Sequence, residues 1–303
     1  MTTRRRTSRL AARAPLAALA LLCASTLSPL RAQVVERFAK DPLDGGGRHV
    51  FFAEGDAAAR FTYLSDEPAR FPGDRRGTLR VLYDTTLPAA RLSTPLGRVL
   101  SLDADFEVGA ILTIRSEGFF ADPNGFSQIA FGAWNAATTG IGRTSFPSDS
   151  FDLLEFDYFP NVTSFGGPFL SPSVFGGNVG GNAFFNFAFR SSEVDLPHDT
   201  PLLVRCRYRA LARRLEVTVH RHAGGLLFET IPGGSAVVDL SGISPAFLLN
   251  VLGIAGYFEG FPSIHASVDY DLLYAGPLPT PWGVIKPMAP QPGETSSPGR
   301  LQR

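Results

Sequence analysis

Apolar positions in this chain fall in short alternating runs, and no long stretch repeats them at helical spacing. Alternation of apolar and polar residues is the period of a half-buried strand. Gly, Pro, Asn and Asp punctuate the runs, as turns between strands require. The pattern predicts strands over Val34–Phe38, Phe61–Leu64, Thr78–Tyr83, Phe106–Ile114, Gln128–Asn135, Phe151–Phe159, Ala183–Phe189, Leu202–Tyr208, Leu215–His220, Leu226–Thr230, Phe247–Ala255 and Ile264–Tyr274. Twelve strands without an intervening linker predict one all-β domain, a two-sheet antiparallel sandwich. Within it, Leu202–Tyr208, Leu215–His220 and Leu226–Thr230 are close enough in sequence to form a three-strand meander. No internal repeat is present.

The ends differ from this middle. Arg4, Arg5, Arg6, Arg9 and Arg13 precede an apolar run from Ala14 to Leu27, and a short polar stretch ends at Ala32. A basic segment, an apolar segment and a small residue at the cut make residues 1–32 a cleavable export signal. The run is shorter than the roughly 20 residues a membrane helix needs. The expectation is a secreted or otherwise extracytoplasmic protein, with no membrane insertion of the mature chain. From Pro277 to Arg303 the sequence is Pro-rich and polar, and reads as a disordered tail. The sandwich therefore occupies 33–276.

Removing the leader changes the charge. The chain has 28 basic and 28 acidic residues, and residues 1–32 hold six arginines and no acid. The mature chain then carries 22 basic against 28 acidic residues, a net of −6. That balance argues against nucleic acid as a partner, which needs a basic surface. Only Cys206 remains after cleavage, so no intramolecular disulfide is available and the fold must rest on its core.

One segment carries chemical character: Phe151-Asp-Leu-Leu-Glu-Phe-Asp-Tyr-Phe-Pro-Asn161. Residues two apart on a strand share a face, so Glu155, Asp157 and Phe159 point one way and Leu154, Phe156 and Tyr158 point into the core. Two neighbouring carboxylates repel unless a cation, a proton or an arginine lies between them. A metal, a catalytic acid pair and a structural clamp by arginines such as Arg143 or Arg115 all satisfy that requirement.

Leu154-Glu-Phe-Asp-Tyr-Phe-Pro-Asn161 resembles the metal-binding strand of legume lectins such as concanavalin A. The resemblance implies calcium as a candidate cofactor, with Glu155, Asp157, the Phe159 carbonyl and Asn161 as candidate ligands. Two further ligands of that pattern are missing, because Gly167 precedes Pro168 and no histidine lies between Asn161 and His198. Calcium prefers about six to eight oxygens. The same strand resembles that of laminarinase-type glycoside hydrolases, which makes Glu155 and Asp157 the candidate catalytic residues. A third acid would fall at Leu153 or Phe159, and neither can transfer a proton. By strand pattern the resemblance extends over Val34–Gly276 and implies a concanavalin A-like jelly-roll sandwich.

Trp134 and Asn135 end one strand, and Arg143 follows in a Gly/Thr loop just before the acidic strand. An exposed indole beside an amide and a guanidinium suits a sugar ring: the ring face stacks and the polar groups bond hydroxyls. The candidate carbohydrate site is Trp134, Asn135, Arg143, Glu155 and Asp157 on the concave sheet, with the Gly-rich loop 165–181 at its edge. His220 and His222 have the spacing of a metal pair but lack a third ligand in the sequence. His265, Asp269 and Asp271 share strand parity. Asn161-Val-Thr163 is a glycosylation sequon. The expectation is an exported, non-catalytic β-sandwich that binds a glycan or a cell-surface partner. The alternatives are a glycoside hydrolase or lyase, and a structural surface protein without a small ligand.

Overall fold

The computed structural model describes residues 34–45, 47–70, 77–117, 128–141, 151–160, 167–177, 183–187, 192–257 and 265–277. The leader, the tail, Arg143 and Asn161 lie outside this set. Among the described residues no helix is long and apolar enough to cross a membrane. The strands are β1 (Val34–Glu36), β2 (Phe52–Gly55), β3 (Phe61–Leu64), β4 (Thr78–Asp84), β5 (Ala90–Ser101), β6 (Phe106–Ile114), β7 (Ile129–Trp134), β8 (Leu153–Phe159) and β9 (Phe169–Leu170). They continue as β10 (Ser173–Gly177), β11 (Ala183–Phe187), β12 (Ser192–Glu193), β13 (Leu202–Arg209), β14 (Arg214–His222), β15 (Phe228–Asp239), β16 (Leu248–Gly256) and β17 (His265–Pro277). A single helical turn, α1 (Ala57–Arg60), sits between β2 and β3.

Two antiparallel sheets form the sandwich. One has the order β15-β14-β13-β6-β17-β4-β3, with β1 on β17; the other runs β11-β10-β8-β7-β16-β5-β2, with β9 on β8 and β12 on β9. The alternating residues meet between them: Val108, Leu112, Val204 and Val217 from the first sheet, Phe131, Leu154, Phe156, Leu252 and Ile254 from the second. At the centre the Tyr83 and Tyr270 hydroxyls lie 2.7 Å apart, and Tyr83 donates to the Ala130 carbonyl. This bond ties the two sheets together, and burial pushes both phenols well above their ordinary pKa.

The predicted meander is present as β13-β14-β15. β5 escaped the pattern and β15 runs nine residues past its expected end, for the same reason. In β5, Leu96–Val99 stand opposite the single residue Asn250; in β15, Ile231–Gly234 stand opposite Val219. Pro95 and Gly97, and Pro232-Gly233-Gly234, read as strand breakers but belong to bulges within continuous strands. Gly97 and Gly233 take the positive φ such bulges need.

The sheets differ on their outer faces. β14 alternates between buried and part-exposed residues, whereas β7 and β8 are buried at every position. On the first sheet, arginines hold the outward acids. Glu107 accepts from Arg205 at 2.8 Å through both oxygens, from Arg207 and from the Tyr274 hydroxyl. Asp269 is fully buried between Arg80 and Arg70. Arg70 also reaches Asp271, which sits at a bulge, and His265 pairs instead with Asp84.

Burial raises the Glu107 pKa, but its bonds to Arg205 and Tyr274 and the nearby arginine charges outweigh this and leave it below the usual carboxylate range. A depressed folded pKa stabilises the fold above the unfolded pKa, and that contribution is lost as pH falls through the folded value. Glu107→Gln should therefore be less stable than wild type at neutral pH and should lose less stability on acidification below about pH 4, where unfolded carboxylates titrate. Urea unfolding across that range checks this; parallel acid limbs for the two proteins would contradict it.

Candidate functional site

The expected side-chain alternation on β8 is observed. Leu154, Phe156 and Tyr158 join the core between the sheets, and Glu155, Asp157 and Phe159 project from the opposite face. Cross-strand register then arranges that outer face in three rows. The first is Phe175, Leu153, Trp134, Val251 and Pro95; the second Ser173, Glu155, Gly132, Gly253 and Ser93; the third Asp157, Ala130, Ala255, Arg91 and Glu54. In the second and third rows the positions on β7 and β16 are Gly or Ala. Side chains from the flanking positions lie across them.

The glycines make this possible. A methyl group on Gly132 would collide with the Leu154 carbonyl and the Glu155 Cγ. One on Gly253 would collide with the Leu92 carbonyl and the outer edge of the Trp134 indole. Glu155 and Trp134 therefore lie flat on the sheet where these strands lack side chains.

Both acids are fully buried, so no open cleft exposes them. The Tyr257 hydroxyl donates to Glu155 Oε1. Gln128 Nε2 donates to Asp157 Oδ1 at 2.7 Å. Tyr257 is itself fixed by Arg60, a buried guanidinium that donates to the carbonyls of Leu82, Asp84, Leu87, Pro88 and Tyr257. Burial lowers the pKa of Arg60. Of the arginines expected near the acid pair, Arg115 turns to Asp199, in the turn before β13, and to Asp269 on the other sheet, and Arg143 lies outside the described residues. Among the described residues, a phenol and a carboxamide each engage one oxygen of an acid.

Trp134 is not the exposed platform the sequence suggested. It is 1 % exposed and packs with Phe151, Leu153, Phe175 and Val251. The Arg91 guanidinium lies 5.1 Å from its ring centroid, a cation–π arrangement. Arg91 also pairs with Glu54 at 2.8 Å and donates to the Thr139 and Gly140 carbonyls at 3.0 and 3.1 Å. Asn135 structures the turn after β7: its Oδ1 accepts from the Ala137 amide and from Asn250 Nδ2. Phe159 stacks on Phe169 with ring centroids 5.0 Å apart.

The calcium implied by the lectin-like strand does not suit these donors. A phenol and a carboxamide already direct hydrogens at one oxygen of each acid, where a cation would need lone pairs. Among the described residues no group of three or more His, Cys, Asp or Glu could hold a metal. His220 bonds the Thr218 and Thr230 hydroxyls, and His222 bonds the Gly225 carbonyl, so the two rings do not converge on one point. Arg91, Gln128, Tyr257 and the two glycines were missed from the sequence. Only cross-strand register brings them to the acids, and β5, which carries Arg91, was not recognised as a strand.

No protein-family profile and no curated protein matches this chain. Solved structures do. A legume lectin-like domain from Entamoeba histolytica is 10 % identical with a TM-score of 0.46, covering 80 % of this chain and 95 % of that one. The lectin UEA-II, in complex with galactose, is 13 % identical with a TM-score of 0.43, covering 80 % and 99 %. The catalytic domain of a GH131 beta-glucanase from Podospora anserina is 12 % identical with a TM-score of 0.40, covering 78 % and 87 %. The chain is similar to these proteins; its sandwich architecture rests on its own two sheets.

Gly253→Ala should cost about 1–3 kcal/mol, the range for overpacking a filled site. It should also shift the emission of Trp134, measured with Trp282→Phe as background. Unchanged stability and emission would mean that the indole does not lie over Gly253.

Proposed function

We propose that this chain is an exported, non-catalytic protein that binds a neutral glycan at the outer face of the nine-stranded sheet. The observation that carries this reading is the chemistry gathered there, away from the core: two carboxylates, a guanidinium, an indole, a phenol and a carboxamide around a floor of Gly and Ala. Acceptors for hydroxyl protons, donors for hydroxyl oxygens and apolar surface for C–H groups are what sugar recognition needs. Neutrality of the ligand follows from the charges. Arg91 is already matched by Glu54 and so has little charge to offer an anion.

The non-catalytic part rests on the positions flanking the acids. A retaining glycosidase needs a nucleophile and a proton donor about 5 Å apart, and the laminarinase-type strand adds a third acid. Here Leu153 and Phe159 occupy the flanking places, each held in an aromatic cluster. The leader residues support export.

Thermal melts of residues 33–303 with soluble α-glucans, β-glucans, galactans and a polyuronate test this. A ligand that binds only the folded state stabilises it by about 2.7 kcal/mol at 100 times its Kd. At least one neutral polymer should raise Tm equally in EDTA and in calcium, the polyuronate should not, and no reducing ends should be released. Reducing-end release abolished by Glu155→Gln would instead favour the hydrolase. No shift with any polymer would leave a structural surface protein.

A further inference from the structure

The sequence suggests that Trp134 stacks a sugar on its ring face, but neither side of the ring is free. The outer edge lies over Gly253, and the Arg91 guanidinium lies over the ring. What remains is the polar edge. Trp134 Nε1 is buried and finds no hydrogen-bond acceptor among the described residues. A buried indole N–H ordinarily has a partner. Glu36, Thr113 and Arg213 also have one unpaired buried atom each; Glu36 Oε1 accepts from the Arg37 and Phe38 amides, Arg213 Nη2 donates to the Ile243 carbonyl, and Thr113 lies on β6 of the other sheet. The indole has one polar atom and no such compensation.

Arg91 supplies a second, independent observation. Its Nη1 donates to two backbone carbonyls, those of Thr139 and Gly140, in the turn after β7. The base of that turn is held separately. Asn135 N donates to the Asp152 carbonyl, Asn250 Oδ1 accepts from the Ala136 amide, and Asp152 Oδ2 accepts from the Leu248 amide. Thr139 belongs to that base, since its N–H donates to the Asn135 carbonyl and its Oγ1 to the Asp152 carbonyl, whereas Gly140 takes no part in these bonds and can leave Arg91 without unravelling them. A ligand hydroxyl or ring oxygen offers Nη1 the same kind of acceptor that a carbonyl does.

We propose that Trp134 recognises the glycan through its Nε1–H, with Arg91 Nη1 as the companion donor once a ligand oxygen replaces the Gly140 carbonyl. The inference rests on the glycan-binding reading above and specifies how that site works: in-plane hydrogen bonding, not stacking. The incoming oxygens accept from the indole and the guanidinium.

The full chain has two tryptophans, Trp134 and Trp282, so its ¹⁵N spectrum contains two indole N–H signals. Trp282→Phe assigns them. Wild-type protein would be titrated with each neutral glucan and galactan of the melting panel, with affinity followed by calorimetry. The proposal expects the Trp134 indole proton to move downfield on binding. It also expects Trp134→Phe, which keeps a ring and loses the N–H, to weaken affinity about tenfold, as loss of one neutral hydrogen bond would. Binding with an unmoved Trp134 signal overturns this proposal and leaves the glycan-binding reading intact. Absence of binding by every polymer overturns both.

Discussion

The hydrogen bond from the Tyr257 hydroxyl to Glu155 is the contact on which the outer face of the nine-stranded sheet depends. A carboxylate taken out of water is costly unless donors replace its hydration. Tyr257 and Gln128 each supply such a donor, to Glu155 and Asp157 respectively. The requirement propagates outward. Tyr257 reaches Glu155 because Arg60 holds its backbone, and Arg60 packs against Gly256, where a methyl group would collide with it. Glu155 lies flat because Gly132 leaves room. A few small residues and one buried guanidinium thus set the geometry of the acid pair.

The two sheets solve the same electrostatic problem differently. On the eight-stranded sheet, acids that project outward meet arginines at the part-exposed surface, as Glu107 meets Arg205 and Arg207. Those charges remain matched by charges and follow pH. On the nine-stranded sheet the described donors Tyr257 and Gln128 are neutral and each engages one oxygen of an acid, and Arg91 on that face is matched by Glu54 at the sheet's edge.

Much of the fold was legible because alternation is a local property. The parity of β8 alone separates Glu155 and Asp157 from Leu154, Phe156 and Tyr158, and the structure keeps that separation. Strand limits failed where a bulge carries Pro and Gly inside a continuous strand, as at Pro95 and Pro232. The site was legible only in part, because its partners come from distant strands. Nothing local places Arg91 in the row of Asp157, or Gly253 beneath the edge of Trp134. The exposed platform suggested for Trp134 failed for a related reason: a tryptophan beside Asn and a Gly/Thr loop looks the same in sequence whether its face is open or covered by an arginine from another strand.

A double-mutant cycle between Tyr257→Phe and Glu155→Gln tests the central contact most directly, with unfolding free energies measured for the wild type, both single variants and the double variant. Residues that share a buried hydrogen bond couple by about 0.5–3 kcal/mol, and a bond to a charged group lies at about 1.5–3 kcal/mol. The account predicts a coupling of at least about 1.5 kcal/mol, with the double variant much less destabilised than the sum of the singles. Additivity within about 0.5 kcal/mol would mean that Tyr257 does not hold Glu155, and the outer face would need another explanation.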